Sequence, residues 1–277
     1  MEFGVFTIVK DEHEYLDEWI QYHLAIGVSQ IFVFDDVFSK PHIDICKKYG
    51  PRVVNKNIIT IFNPNIREKI TTDKAEKKSK TGMQVMFMKS CLNWLQHVTK
   101  LEWVAYIDAD EFLTFENNEY CFGNIFSQYR DYDIVALQWK NFSASGHIYK
   151  PEGSVIMNYT TPCTLFAGLM KSKAASKLVF NLKRWDSKRI KTNHHIPSEA
   201  VWCKTDGSSD GEKVVYDKIY IRHYITKSFE EYCHKIFVRG QFQNSKKLNY
   251  FFIFNRSMKK DNKDIQEILK KYNQNEI

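Results

Sequence analysis

The stretch Val104-Ala105-Tyr106-Ile107-Asp108-Ala109-Asp110-Glu111-Phe112 turns from apolar to acidic in a single step. Trp103 to Ile107 reads as a buried strand, and the acids stand at its carboxyl end, where open α/β sheets collect their ligands. An extended chain alternates its side chains with a period of two, so a continuing strand points Asp108 and Asp110 to the same side. Two convergent carboxylates suit a hard divalent cation, Mg²⁺ or Mn²⁺, which takes oxygen ligands and keeps positions open for substrate phosphates. The same triplet also serves as an ordinary turn or helix cap, because Asp bonds nearby backbone readily.

Outward from this stretch, the first 110 residues alternate strand and helix patterns, as a sheet built from successive crossovers requires. Phe3 to Val9 predicts a strand. Tyr15, Leu16, Trp19, Ile20, His23 and Leu24 recur at three and four residues, which predicts a helix to about Ala25, stopped by Gly27. His23 on that apolar face reads as a hydrogen-bonded core residue. Ile31 to Phe34 predicts a second strand that ends in Asp35 and Asp36, followed by a short helix over Ile43 to Tyr49 and a strand over Ile58 to Phe62. Residues 63 to 82 are polar, with six basic and three acidic side chains from Arg67 to Lys80, and read as a mobile loop. Met83 to Val98 predicts a helix. Further on, Ile134 to Trp139, Val155 to Tyr159, Leu165 to Met170, Leu178 to Phe180 and Ile219 to His223 predict strands of a mixed sheet. Ser228 to Arg239 and Lys263 to Tyr272 predict helices.

The formal net charge of +7 points to an anionic partner, with phosphate foremost. Lys171 to Lys191 holds eight basic residues and one acid. Near the C-terminus, Lys246, Lys247, Arg256, Lys259 and Lys260 surround the aromatic block Tyr250 to Phe254. That pairing suits an anionic membrane surface, while core packing explains the aromatics equally well. No apolar stretch approaches the roughly 18 residues of a membrane span. The N-terminus lacks the basic start and apolar middle of a secretory signal, so a cytoplasmic protein with six reduced cysteines is expected. No P-loop, dinucleotide-binding glycine fingerprint or serine nucleophile elbow is present.

The acidic triplet in its strand context is one of an ordered set. Before it come Ile8-Val9-Lys10-Asp11-Glu12, Glu18-Trp19, Tyr22-His23, Gly27-Val28, Asp35-Asp36 and Gln84. After it come Trp139-Lys140-Asn141-Phe142, Ser145-Gly146-His147, His223-Tyr224, Thr226-Lys227-Ser228 and Glu230-Glu231. This set resembles metal-dependent glycosyltransferases of the GT-A fold, closest to family 92 and its bacterial family 2-like relatives. The likeness covers about 240 residues in order and leaves the last 40 outside. It departs at Lys10-Asp11-Glu12, where the family's usual start is Lys-Asn-Glu, and at Phe142 to His147, where a glycine is replaced.

The resemblance implies an α/β fold of GT-A type, a Rossmann-like mixed central sheet flanked by helices, with a helical C-terminal extension. It divides the chain into a glycosyltransferase domain, 1–227, with a nucleotide-binding half, 1–112, and an acceptor-side half, 113–227; the basic and aromatic extension is 228–277. It implies transfer of a hexose from a nucleotide diphosphate sugar, a UDP-sugar by expectation, to a glycan or lipid-linked glycan, with inversion. Surface polysaccharide or lipopolysaccharide synthesis, peripheral on the inner membrane face, is the matching context. Val9, Lys10, Glu12, Asp35, Gln84 and Asp108 are implied at the donor, and Asp108, Asp110 and His223 at the metal, Mn²⁺ or Mg²⁺. Lys227 is expected beside the leaving diphosphate. Glu199 is the candidate base, ahead of Asp206 and Asp210, because it follows His194, His195 and Pro197, themselves secondary phosphate or acceptor candidates. Two rivals stand beside this reading. A haloacid dehalogenase-type phosphatase wants Thr where Phe112 stands, and a basic nucleic-acid-binding protein has only charge and aromatics behind it, so no nucleic acid is expected.

Overall fold

The computed structural model describes residues 1–35, 39–57, 80–163, 176–186, 199–209, 214–238 and 247–273. The chain forms two compact units, one of Met1–Trp139 with Ser172–Ile221 and one of Lys140–Lys171 with Arg222–Ile277. The first unit carries the sheet. Its strands are β1 (Phe3–Val9), β2 (Gln30–Asp35), β3 (Val53–Asn57), β4 (Trp103–Tyr106), β5 (Glu111–Phe115), β6 (Ile134–Asn141), β7 (Ser176–Asn181), β8 (Trp202–Lys204) and β9 (Ile219–His223), with β6 and β9 running on into the second unit. The order is β3-β2-β1-β4-β7-β6-β9-β5, with β8 added beside β6. The first four are parallel, whereas β7 runs antiparallel to both β4 and β6. This is the mixed α/β sheet that the sequence predicts.

Helix α1 (His13–Ala25) returns the chain from β1 to β2 and buries Leu16, Trp19, Ile20 and His23 on one face. Gly27 ends it at φ 98°, where a side chain would be strained. α2 (Lys40–Lys47) and α3 (Lys80–Val98) follow. Met88, Cys91, Leu92 and Leu95 of α3 pack on Phe6, Phe32, Phe34 and Val104 in a continuous core.

The second unit holds α5 (Val155–Asn158), α6 (Phe229–Cys233), a π-helical turn (His234–Val238), α7 (Lys247–Phe254) and α8 (Lys263–Asn273); the short α4 (Phe122–Phe126) belongs to the first. Phe229, Tyr232, Phe251, Ile265, Ile268 and Tyr272 form its core. The aromatic block is therefore largely interior, with Phe251 and Phe254 buried and Ile253 exposed.

Three expectations change. Val155 to Tyr159 is a helical turn, not a strand: the Tyr159 amide donates to the Val155 carbonyl and both side chains are buried, so packing overrides β-branched propensity. The helix expected from Ser228 to Arg239 widens into the π turn after Cys233. β3 and β5 were not expected, because Val53-Val54-Asn55-Lys56-Asn57 and Glu111 to Phe115 lack a clean apolar alternation. The strands expected over Ile58 to Phe62 and Leu165 to Met170 lie outside the described residues. Among the described residues no helix is long and apolar enough to cross a membrane.

Candidate functional site

Strand register decides which side chains meet. Val9 lies opposite Asp35 in the β1/β2 pair, and Phe6 opposite Tyr106 in the β1/β4 pair. The carboxyl ends of these parallel strands thus bring Val9, Lys10, Glu12, Asp35 and Asp108 to one edge of the sheet. At the exit of β1, Asp11 adopts φ 54°. Asn and Asp tolerate this left-handed region best among side chains with a Cβ, so Asp in place of the family's Asn keeps the same bend available.

The acids do not extend the strand. β4 stops at Tyr106, and the Glu111 amide donates to the Asp108 carbonyl at 3.0 Å, closing a turn over residues 108 to 111. The period-two reasoning about Asp108 and Asp110 therefore does not apply; the turn itself sets their directions. α1 holds this turn by its far side. Trp19 Nε1 donates to the Glu111 carbonyl at 2.8 Å, the Tyr22 hydroxyl to the Leu113 carbonyl at 2.7 Å, and His23 Nε2 accepts from the Leu113 amide at 3.2 Å. His23 Nδ1 donates to the Trp19 carbonyl, and burial pulls its pKa down to about 3, so the ring is a neutral spacer. The Trp19, Tyr22 and His23 signature is thus a clamp on the strand that follows the acids.

Lys177 of β7 completes the cluster, and sequence reasoning did not single it out. Its ammonium lies 2.7 Å from Asp108 Oδ2, 3.3 Å from Glu111 Oε2 and 4.5 Å from the centre of the Tyr106 ring. The Lys177 side chain is 1% exposed and that of Asp108 41%. Burial opposes the lysine's charge, yet Asp108, Glu111 and Asp110 together hold its pKa above the ordinary value. Glu111 is fully buried, and burial pushes its carboxyl up to about 8 against the pull of Lys177. Its Oε2 accepts from the Asp108 amide at 2.8 Å, while its Oε1 has no hydrogen-bond partner among the described residues. The only sequence signal for Lys177 was its place in the lysine-rich segment just before an apolar strand.

Asp35 is buried, and its Oδ2 accepts from the Ser39 amide and from His42 Nδ1, each at 2.8 Å. His42 Nε2 in turn accepts from the Glu12 amide at 3.2 Å. One buried imidazole of α2 thus ties the end of β2 to the exit of β1. Replacing His42 by Ala removes both bonds. The expected loss is about 2–4 kcal/mol of stability, read by urea unfolding, because one of the bonds serves a buried carboxylate; an unchanged midpoint would contradict this.

The remaining candidates are dispersed. Gln84 lies on α3, with its side chain outside the described residues, as are Asp36, His194, His195 and Asp210. Glu199 is exposed and precedes β8, which pairs Trp202 with Ile134. Ile134 pairs with Phe180, whereas Gln138 pairs with Ser176 next to Lys177. Glu199 therefore stands at the opposite end of the sheet from Asp108, which separates the candidate base from the acids. Asp206 is held in a turn by Ser208, at 2.6 Å.

In the second unit, His223 Nδ1 donates to Asn141 Oδ1 at 2.9 Å, which puts the lone pair on Nε2, the state a metal-ligating histidine needs. Lys227 is 9% exposed and sits at φ 51°, a strained conformation for a lysine. Ser145 and Gly146, at φ 51° and 86°, form a tight turn closed by the His147 amide on the Ala144 carbonyl. Gly146 and Ile148 wall a cleft of about 450 Å³ with Met258 and Ile265.

Among the described residues no three acidic, histidine or cysteine side chains converge on a metal position. The first unit's donors, two incompletely buried carboxylates in one turn, fit a hard cation whose other ligands are phosphate oxygens and water.

The sequence model of glycosyltransferase family 92 matches residues 6–276, which takes in nearly all of the last 40 residues that the sequence reading left outside the likeness. A glycosyltransferase family 92 protein of Oryza sativa subsp. japonica is 26% identical over 174 residues, 59% of this chain. The chain spans only 25% of that relative's length. Among solved structures, an active-site mutant of LgtC overlaps 80% of this chain and 87% of its own, at 12% identity and TM-score 0.41. Glucosyl-3-phosphoglycerate synthase from Mycobacterium tuberculosis, in complex with Mn²⁺, UDP and glucosyl-3-phosphoglycerate, overlaps 66% of this chain and 57% of its own, at 11% identity and TM-score 0.35.

Proposed function

Since the chain belongs to glycosyltransferase family 92, we propose that it transfers a hexose from a nucleotide diphosphate sugar, a UDP-sugar, to a glycan acceptor in a metal-dependent, inverting reaction. The observation that carries this is the acid turn at Asp108 to Glu111, set on the same sheet edge as Val9 and Asp35. Asp108 and Asp110 hold the divalent cation, whose chemistry is to offset the charge that develops on the departing nucleoside diphosphate. Val9, Lys10, Glu12 and Asp35 form the nucleotide side of the pocket, with His42 fixing the Asp35 carboxylate and the Glu12 backbone together. Trp19, Tyr22 and His23 keep the acid turn in place through the β5 backbone.

The acceptor belongs with the second unit, where the Ser145-Gly146 turn walls its cleft. A surface polysaccharide or lipopolysaccharide precursor is the acceptor class that suits this reading. Exposed Ile253 with Arg256, Lys259 and Lys260 supplies a basic and apolar contact for an anionic membrane face. No base for the acceptor hydroxyl is assigned, since Glu199 stands at the far end of the sheet.

The test is a thermal-shift screen of nucleotide sugars with chelator-stripped protein, with and without Mn²⁺. The expected result is stabilisation by a UDP-sugar only when Mn²⁺ is present, growing with ligand concentration. Equal responses with and without the ion would overturn the metal dependence. Stabilisation by polynucleotides alone, falling steeply with salt, would favour the nucleic-acid reading instead.

A further inference from the structure

Lys177 lies one hydrogen bond from Asp108 and projects from a strand that runs against β4. We propose that Lys177 is a positioning residue that makes cation binding at Asp108 and Asp110 conditional on the nucleoside diphosphate. The inference rests on the metal-dependent reading above and deepens it. The ammonium is the counter-charge of Asp108, at 2.7 Å, and lies 3.3 Å from Glu111. It is buried and lies over the Tyr106 ring, so moving it aside would cost both the packing and the ring contact.

A bare divalent ion therefore meets an Asp108 carboxylate already paired with a buried ammonium, with Asp110 in the same turn. Like charges in a poorly solvated site repel strongly. A diphosphate changes the balance in two ways. Its oxygens complete the coordination that two carboxylates leave open, and its negative charge offsets both the ion and Lys177. The same ammonium also holds the Asp108 carboxylate toward β7.

The experiment is calorimetric titration of Mn²⁺ into chelator-stripped protein, with UDP absent and with UDP saturating. The variants are Lys177→Met, which keeps the bulk and removes the charge, and Lys177→Arg, which keeps the charge. Wild type is expected to bind Mn²⁺ at least about tenfold more tightly with UDP than without. Lys177→Met should bind Mn²⁺ alone at least about tenfold more tightly than wild type does, so that the advantage given by UDP shrinks. Lys177→Arg should retain the dependence on UDP. A merely structural lysine predicts the reverse, weaker Mn²⁺ binding in Lys177→Met, and that result overturns the proposal, as does equal affinity. Should Lys177→Met fail to fold with the Glu111 carboxyl left beside it, Lys177→Met combined with Glu111→Gln removes both buried ionisable groups, and its Mn²⁺ affinity is read against Glu111→Gln alone. Wild type that binds no Mn²⁺ even with UDP overturns the metal-dependent reading, and this inference with it.

Discussion

Asp110→Asn should lower metal-dependent sugar transfer by at least about a thousandfold, or about 4 kcal/mol of transition-state stabilisation, while the protein stays folded. The size follows from what an amide cannot do: it keeps the shape of the carboxylate but has lost the charge that holds a hard cation. Asp108 is bonded to buried Lys177 and its amide to Glu111, so replacing it disturbs the fold of the turn as well as the charge. Asp110 lies in the same turn, and its charge raises the pKa values of Glu111 and Lys177. The measurement is initial rate against Mn²⁺ concentration, paired with the unfolding midpoint. Retained turnover in chelator-treated Asp110→Asn, with the midpoint unchanged, would remove the cation from the mechanism.

The second large effect concerns the C-terminal helices. Phe251→Ala should destabilise the protein by about 3–5 kcal/mol, the usual range for deleting a buried aromatic ring. Phe251 is fully buried, with its ring 4.9 Å from Phe229 and 5.2 Å from Tyr232. α8 closes the same cluster with Ile265, Ile268 and Tyr272, so the cavity is walled by three helices and collapses poorly. Urea unfolding followed by circular dichroism reads the loss as a lower midpoint. The substitution also separates the two explanations of the aromatic block. A core ring costs stability wherever the protein is, whereas an interfacial ring costs affinity for anionic vesicles and little stability. Phe251→Ala with an unchanged midpoint and weakened vesicle binding would reverse the assignment.

Much of the first unit was legible because its signals are local and periodic. A run such as Phe3 to Val9 can be buried on both faces only as an inner strand, and the spacing of Leu16, Trp19, Ile20 and His23 fits only a helical face. The acids at 108 and 110 were legible too, since an abrupt end to an apolar run marks a strand exit. What failed was inference at a distance. The direction of the two carboxylates depended on whether the strand continued, and a single backbone hydrogen bond from Glu111 to Asp108 decided that it does not. Glu199 was chosen for its neighbours in sequence, but the pairing of Trp202 with Ile134 carries it to the other end of the sheet.

The sequence alone therefore determined the strand, helix, strand start of the first unit, the family likeness and the acids at the exit of β4, because hydrophobic period and turn chemistry act over a few residues. Only the tertiary structure decided that Lys177, 69 residues beyond Asp108, is the partner of that acid, and that His42 joins Asp35 to Glu12. Those contacts arise where separate strands and helices are brought side by side by packing. A buried charge can persist there only beside its opposite, and nothing in the local pattern of either segment reveals which distant residue that will be.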